Sequence, residues 1–197
     1  MTDKIFCLIK FGERPYMERL LKYGELFFNT SAKYNELHKD ENERGHINEG
    51  ARWVENALIA KVEADHLALG KFTFKPVQSK LSKLIQYNYF YLSYSLYAIS
   101  HRTFENSNIH KIDSKILEFG DAAIFIQKPY KFLTQLKENS IRYDANFVEY
   151  VDLDKKGKIN LSPFDKKMRH YHQMEFRIII EDIDDKLKII NIGSIEN

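Results

Sequence analysis

The residues best able to act together chemically lie near the C-terminus, in His170-Tyr171-His172-Gln173-Met174-Glu175-Phe176-Arg177-Ile178-Ile179-Ile180. Gln173 and Glu175 are two apart and stand immediately before a strongly apolar run. On an extended segment such residues point the same way, so a carboxamide and a carboxylate would project together from a strand mouth into one cleft. The alternative is a pair of ordinary polar residues on an edge strand. His170 and His172 are also two apart and suit either a surface pair, a metal site or a general base for a nuclease or hydrolase, but no third ligand stands beside them. Lys166, Lys167 and Arg169 either border the same cleft, where they would meet a pyrophosphate or a nucleic-acid backbone, or form a solvated charge run. A second polar stretch, Glu41-Asn42-Glu43-Arg44-Gly45-His46-Ile47-Asn48-Glu49-Gly50, reads as a solvated loop or as a lid whose Arg44 meets a phosphate.

Several chemistries are excluded by what is missing. Neither GxGxxG nor GxxxxGK[ST] occurs, so there is no Gly-rich phosphate loop, and the GxSxG elbow and HExxH are absent too. Cys7 is the single cysteine, which rules out a disulfide framework and a cysteine-based zinc site. The 197 residues suffice to bury a core without such staples. With 44% hydrophobic and 29% charged residues the chain is neither disordered nor a helical membrane protein, and no apolar run reaches bilayer length. A net charge of +2 is too balanced for a nucleic-acid coat protein but leaves room for a local basic groove. The start, Met1-Thr2-Asp3-Lys4, is not laid out as a signal peptide, so a cytoplasmic location is expected. Against one Trp there are 14 Phe and 12 Tyr, which fit a β-rich core with half-buried tyrosines or a cleft that stacks a planar ring.

The elements that must position these residues are legible in outline. Lys4 to Phe11 reads as an interior strand, and Pro15 opens a helix with Tyr16, Met17, Leu20 and Leu21 on one face. Gly24 stops that helix and Glu25 to Thr30 forms a second strand. Residues 31–50 suggest a short helix and a long loop; Arg52 to Ala60 fits strand or helix. Further strands are expected over Lys71–Pro76, Gln86–Ser95, Asp121–Gln127, Asn146–Asp152, Phe176–Glu181 and Leu187–Ile192, the last two joined as a hairpin by Asp184-Asp185. Pro129 opens another helix, residues 96–118 read as helix and loop, and Lys166–His172 is partly helical. Strands that cluster late without intervening helices argue for α+β with mixed or antiparallel sheets.

Gln-x-Glu ahead of an interior strand resembles the Gln/Glu-x-Glu signature of ADP-ribosyltransferases. The resemblance implies that Glu175 is the catalytic acid residue, orienting the nicotinamide ribose of NAD and stabilising an oxocarbenium-like transition state, and that Gln173 faces the acceptor. Breaking the ribose–nicotinamide bond develops positive charge on the sugar, and a fixed carboxylate stabilises it. Ser93-Tyr94-Ser95 is similar to the Ser-Thr-Ser element that braces the family's site, with Tyr94 in the central place. The family's first motif is an Arg or His on the opening strand; here Lys10 or Arg14 would substitute, Arg14 being preferred for its forked donors. A second register, from Gly24 through Phe27-Phe28 and Ser31 to Tyr34, resembles the stretch with which poly(ADP-ribose) polymerases hold nicotinamide, and ranks behind Ser93/Ser95. The NAD-contacting set implied is therefore Lys10, Arg14, Ser93, Ser95, Tyr34 and Arg44, with no metal.

These readings predict one α+β domain over residues 1–197, with ADP-ribosyltransferase-like split antiparallel or mixed sheets flanked by helices. The expected function is a NAD-dependent ADP-ribosyltransferase that consumes NAD as substrate and modifies RNA, DNA or protein, nucleic acid slightly favoured. Small chains of this look resemble intracellular toxins of toxin–antitoxin or phage-defence systems, so an antitoxin protein is an expected partner and a membrane is not. The alternative is a non-enzymatic nucleotide- or protein-binding module on the same fold, for which the missing first-motif Arg or His would account.

Overall fold

A computed structural model describes residues 4–37, 48–58, 62–68, 70–74, 81–87, 90–104, 109–139, 141–181 and 186–196. Strand β1 (Ile5–Gly12) leads through helix α1 (Arg14–Tyr23) to β2 (Glu25–Thr30) and helix α2 (Ser31–Leu37). The chain continues with β3 (Ala51–Leu58), β4 (Val62–His66), β5 (Gly70–Phe74), β6 (Leu81–Tyr87) and the long β7 (Tyr91–Ser100). Two 3₁₀ turns, His101–Phe104 and Ser114–Phe119, precede β8 (Ala122–Ile126) and helix α3 (Pro129–Glu138). Then follow β9 (Asp144–Phe147), β10 (Glu149–Val151), β11 (Gly157–Asn160) and β12 (Asp165–Lys167), a 3₁₀ turn over Met168–Gln173, β13 (Glu175–Glu181) and β14 (Lys188–Asn191). The architecture is α+β and mostly β, with several antiparallel sheets, one of them a curled half-barrel, and a few helices. No helix among the described residues is long and apolar enough to cross a membrane.

The curled sheet is organised by β7. Along one edge it pairs with β13, from Glu175 opposite Tyr97 to Glu181 opposite Tyr91. Its other edge is shared by two strands. β1 takes the C-terminal half, with Ile9 opposite Tyr97 and Ile5 opposite Ser100. β2 takes the N-terminal end, with Asn29 opposite Ser93 and Thr30 opposite Leu92. Neither strand registers with Tyr94, Ser95 or Leu96, so β1 and β2 diverge along that edge and α1 spans the gap between them.

Side chains alternate across a strand, so β7 and β13 present two unlike faces. Leu92, Tyr94, Leu96, Ala98, Phe176 and Ile178 enter the main core, where Met17 and Leu20 of α1 and Phe132 and Leu136 of α3 pack. Ser93, Ser95 and Tyr97 with Glu175 and Arg177 occupy the other face. Helix α1 begins with a proline in its first turn and ends at Gly24, which adopts φ 63° and whose N–H donates to the Leu20 carbonyl at 2.8 Å. A Cβ on Gly24 would also run into the Gly193 carbonyl, so glycine is required there twice over.

The structure departs from the sequence expectations at several points. The expected hairpin of the last two strands does not form: β14 pairs with β2, Lys188 opposite Phe28 through Asn191 opposite Glu25. Both edges of β13 are already taken, by β7 and by β9, so the last strand finds the outer edge of β2 instead. The Asp184-Asp185 turn lies outside the described residues. The aromatic strand expected over Gln86–Ser95 is two strands, and the second runs on to Ser100. The strand expected over Asn146–Asp152 breaks at buried Val148, whose N–H donates to the Glu175 carbonyl at 2.9 Å. Beyond that break β10 leaves β13 and pairs parallel with β12. The undecided stretch after Gly50 is a strand, β3, in a separate sheet with β6 and β11 around Val54, Leu153 and Leu161.

Candidate functional site

The gap between β1 and β2 opens into a cavity of about 480 Å³, within the usual range of small-molecule sites. Of the eight residues expected to be catalytic or to contact NAD, six line it, Lys10, Tyr34, Ser93, Ser95, Gln173 and Glu175, and Lys166, expected at its border, lines it too. The Glu175 carboxylate is 4% exposed and accepts three hydrogen bonds. Oε1 takes the Ser95 hydroxyl at 2.6 Å and Arg177 Nε at 2.7 Å, and Oε2 takes Lys166 Nζ at 2.8 Å. Burial alone would push its pKa up; the Arg177 and Lys166 charges and their hydrogen bonds outweigh that and hold it well below the usual carboxylate range. Lys166 Nζ also donates to Gln173 Oε1 at 2.6 Å, so one ammonium ties the two polar ends of the Gln-x-Glu motif.

The network continues inward. Arg177 grips Glu49 in a forked pair, Nη2 to Oε1 at 2.9 Å and Nη1 to Oε2 at 3.1 Å, and the Tyr91 hydroxyl donates to Glu49 Oε2 at 2.6 Å. Lys166, Glu175, Arg177 and Glu49 are all buried and alternate in sign, so the chain is charge-balanced. Burying any one of them without its neighbours would cost several kcal/mol. Tyr34 hydrogen-bonds Ser93, and its pKa is pushed up to about 12 by burial and then by the Glu175 and Glu49 charges. Tyr150 caps the backbone, its hydroxyl accepting from the Glu175 N–H at 2.9 Å, and its pKa is raised by burial and by the Glu175 charge. Between the motif residues, Met174 adopts a left-handed conformation (φ 40°, ψ 47°), which ends the 3₁₀ turn and starts β13.

On the opposite wall, Lys10 Nζ donates to the Ser95 carbonyl at 2.8 Å and lies 4.3 Å from the Tyr94 ring centroid. It reaches across the stretch of β7 that β1 and β2 leave unregistered. Arg14, preferred over Lys10 for its guanidinium, is not in the lining. It opens α1 with its side chain 66% exposed toward Asp121, because the helix turns that position outward. Ser31 is buried outside the lining, whereas Tyr34 from the same register meets Ser93 from the other; the two registers are parts of one wall. Arg44 and His46 lie outside the described residues. His170 is buried with its ring 6.4 Å from that of His172, and among the described residues no three of His, Cys, Asp and Glu gather as metal ligands.

Arg177, Glu49, Tyr91 and Tyr150 of this network were not among the site residues expected from the sequence. Arg177 had a signal: it stands two beyond Glu175 in a strand, so it shares that residue's face. Glu49 belongs to the polar stretch that reads as a lid, but its pairing with a residue 128 positions away is a tertiary fact. Compared with known proteins, the chain matches no family model, no curated protein and no solved structure.

Proposed function

We propose that the chain is a NAD-dependent ADP-ribosyltransferase on an ADP-ribosyltransferase-like split-sheet fold, consuming NAD and modifying an intracellular macromolecule. The observation that carries this reading is the Glu175 carboxylate, held ionised at a cleft between diverging strands and braced by the Ser95 hydroxyl. Cleavage of the ribose–nicotinamide bond sends the electron pair out with nicotinamide and leaves positive charge on C1′. A nucleophile of the acceptor then bonds to C1′ and gives up its proton. Among the described residues Glu175 accepts three hydrogen bonds, which leaves one lone pair on Oε2 for a ribose hydroxyl. Ionised, desolvated and rigid, it stabilises the charge with little reorganisation. Lys10 takes the place of the family's first-strand Arg or His, and the Tyr16, Phe27 and Tyr94 rings in the lining suit planar bases. Gln173, tied to Lys166, would face the acceptor. A toxin of a toxin–antitoxin or phage-defence system is the biological role that fits such an activity.

The test is incubation of the full chain with NAD labelled on its adenylate half, offering RNA, DNA and cell protein separately and following free nicotinamide. Label on one acceptor class is expected, with a loss of about 100-fold or more in a folded Glu175→Gln variant. Undiminished turnover in that variant would overturn the assignment. A second reading, a non-enzymatic nucleotide- or protein-binding module, is favoured by the fact that three protein donors already engage Glu175. Absence of both nicotinamide release and NAD binding at millimolar concentration would select it.

A further inference from the structure

Behind Glu175 lies a second cleft of about 300 Å³. Tyr97 belongs to the walls of both this cleft and the main cavity, and Met174, between Gln173 and Glu175, forms part of its floor. The lining is unlike that of the main cavity. It combines the donors Arg102, His110, Lys111 and His172 with the ring of Tyr171, and Asp113 is its acid. Tyr171 is 57% exposed and is held edge-on against Tyr150, with ring centroids 5.4 Å apart. The Tyr97 hydroxyl and His110 Nε2 share a hydrogen bond. Arg102 is fixed at the rim by Glu149 at 2.9 Å and by the Phe147 ring at 4.7 Å.

We propose that this second cleft seats one base and its adjoining phosphodiester of a single-stranded nucleic acid, which presents a neighbouring nucleotide to the Glu175 cavity. A braced, exposed aromatic ring beside cationic side chains is what an unstacked nucleotide requires: the ring stacks the base, and Lys111, with Arg102 at the rim beside Glu149, takes the phosphate. Asp113 offers an acceptor to a base amino group. The volume admits one splayed base and excludes a duplex, whose bases are stacked and paired. An acidic peptide would use the cations but leave the Tyr171 ring without a planar partner. The role of acceptor site rests on the transferase reading above, whereas binding itself does not.

The experiment measures fluorescence anisotropy of labelled RNA and DNA oligonucleotides, roughly 12 nucleotides long to suit a single small site. The full chain is used without NAD, at low and moderate salt, with the matching duplexes as controls. Single strands are expected to bind more tightly than duplexes. Tyr171→Ala should weaken binding about tenfold through lost stacking. Lys111→Ala should lower the salt dependence by about one released counterion. Both side chains are at the surface, and unchanged thermal melting verifies that each variant folds. Variants that bind as tightly as the parent, duplexes bound as tightly as single strands, or displacement of the oligonucleotide by poly-glutamate would each overturn the proposal. If Tyr171→Ala weakens binding while no form of the protein turns over NAD, the cleft stands and only the transferase reading falls.

Discussion

The two faces of the β7–β13 pair are made by alternate residues of the same two strands, yet they obey opposite rules. On one face Leu92, Phe176 and Ile178 pack in the apolar core with residues of α1 and α3. On the other, Ser93, Ser95, Glu175 and Arg177 line a cavity and belong to a buried polar network that includes Lys166 and Glu49. The apolar face gains stability from every methylene it hides. The polar face spends desolvation energy on four ions whose mutual attraction roughly offsets that cost. A fold has little reason to keep such a face for stability alone, and it is there that the proposed transferase chemistry is placed.

The comparison can be broken most severely at Arg177. Arg177→Ala strands Glu175 and Glu49 in the interior and should cost about 3–5 kcal/mol in urea unfolding. A loss below about 1 kcal/mol would mean that the network is solvated and not part of the interior. Next in size, Ile178→Ala on the apolar face should cost about 2–5 kcal/mol by transfer and cavity terms. That variant, melted in parallel, should keep whatever NAD affinity the parent has, because its side chain points away from the cavity; a matching loss of ligand binding would show that the faces are coupled. The smallest effect is expected at Ser95. Ser95→Ala removes one donor to an ionised carboxylate and should cost about 1.5–3 kcal/mol near neutral pH. Its pH dependence sharpens the contrast. Glu175 has a folded pKa below its ordinary 4.5, so its contribution is fully present above that pH and is lost as pH falls through the folded value. Removing a donor to the ionised form raises the folded value. The loss of stability on acidification, which sets in near the unfolded value in both proteins, should therefore be smaller and end at higher pH in Ser95→Ala than in the parent, whereas Ile178→Ala should leave the size of that loss unchanged.

How much of this was readable in the sequence depended on range. The Gln173-x-Glu175 spacing, the Ser93-x-Ser95 spacing and the α1 start and stop signals are local, and each follows from strand alternation or capping chemistry. The preference for Arg14 over Lys10 weighed donor geometry and not direction: one step past the strand, the chain has turned into a helix that faces Arg14 outward, while Lys10 lines the cavity. Ser93 and Tyr34 were weighed as competing registers, although β2 and β7 bring them together. The pairing of β14 was unreadable for a different reason. Proximity in sequence favours a hairpin, but edge availability decides, and β13 has no free edge along its centre. Glu49 reaches Arg177 through contacts of that same long-range kind.

Helix α1 works as a calliper. It joins the two strands whose divergence opens the main cavity, its ten residues make a rod about 15 Å long, and Tyr16, Met17 and Leu20 on it line that cavity. One side of the main cavity is thus carried by a helix and the buried Glu175 and Arg177 by a strand face, in separate parts of the chain.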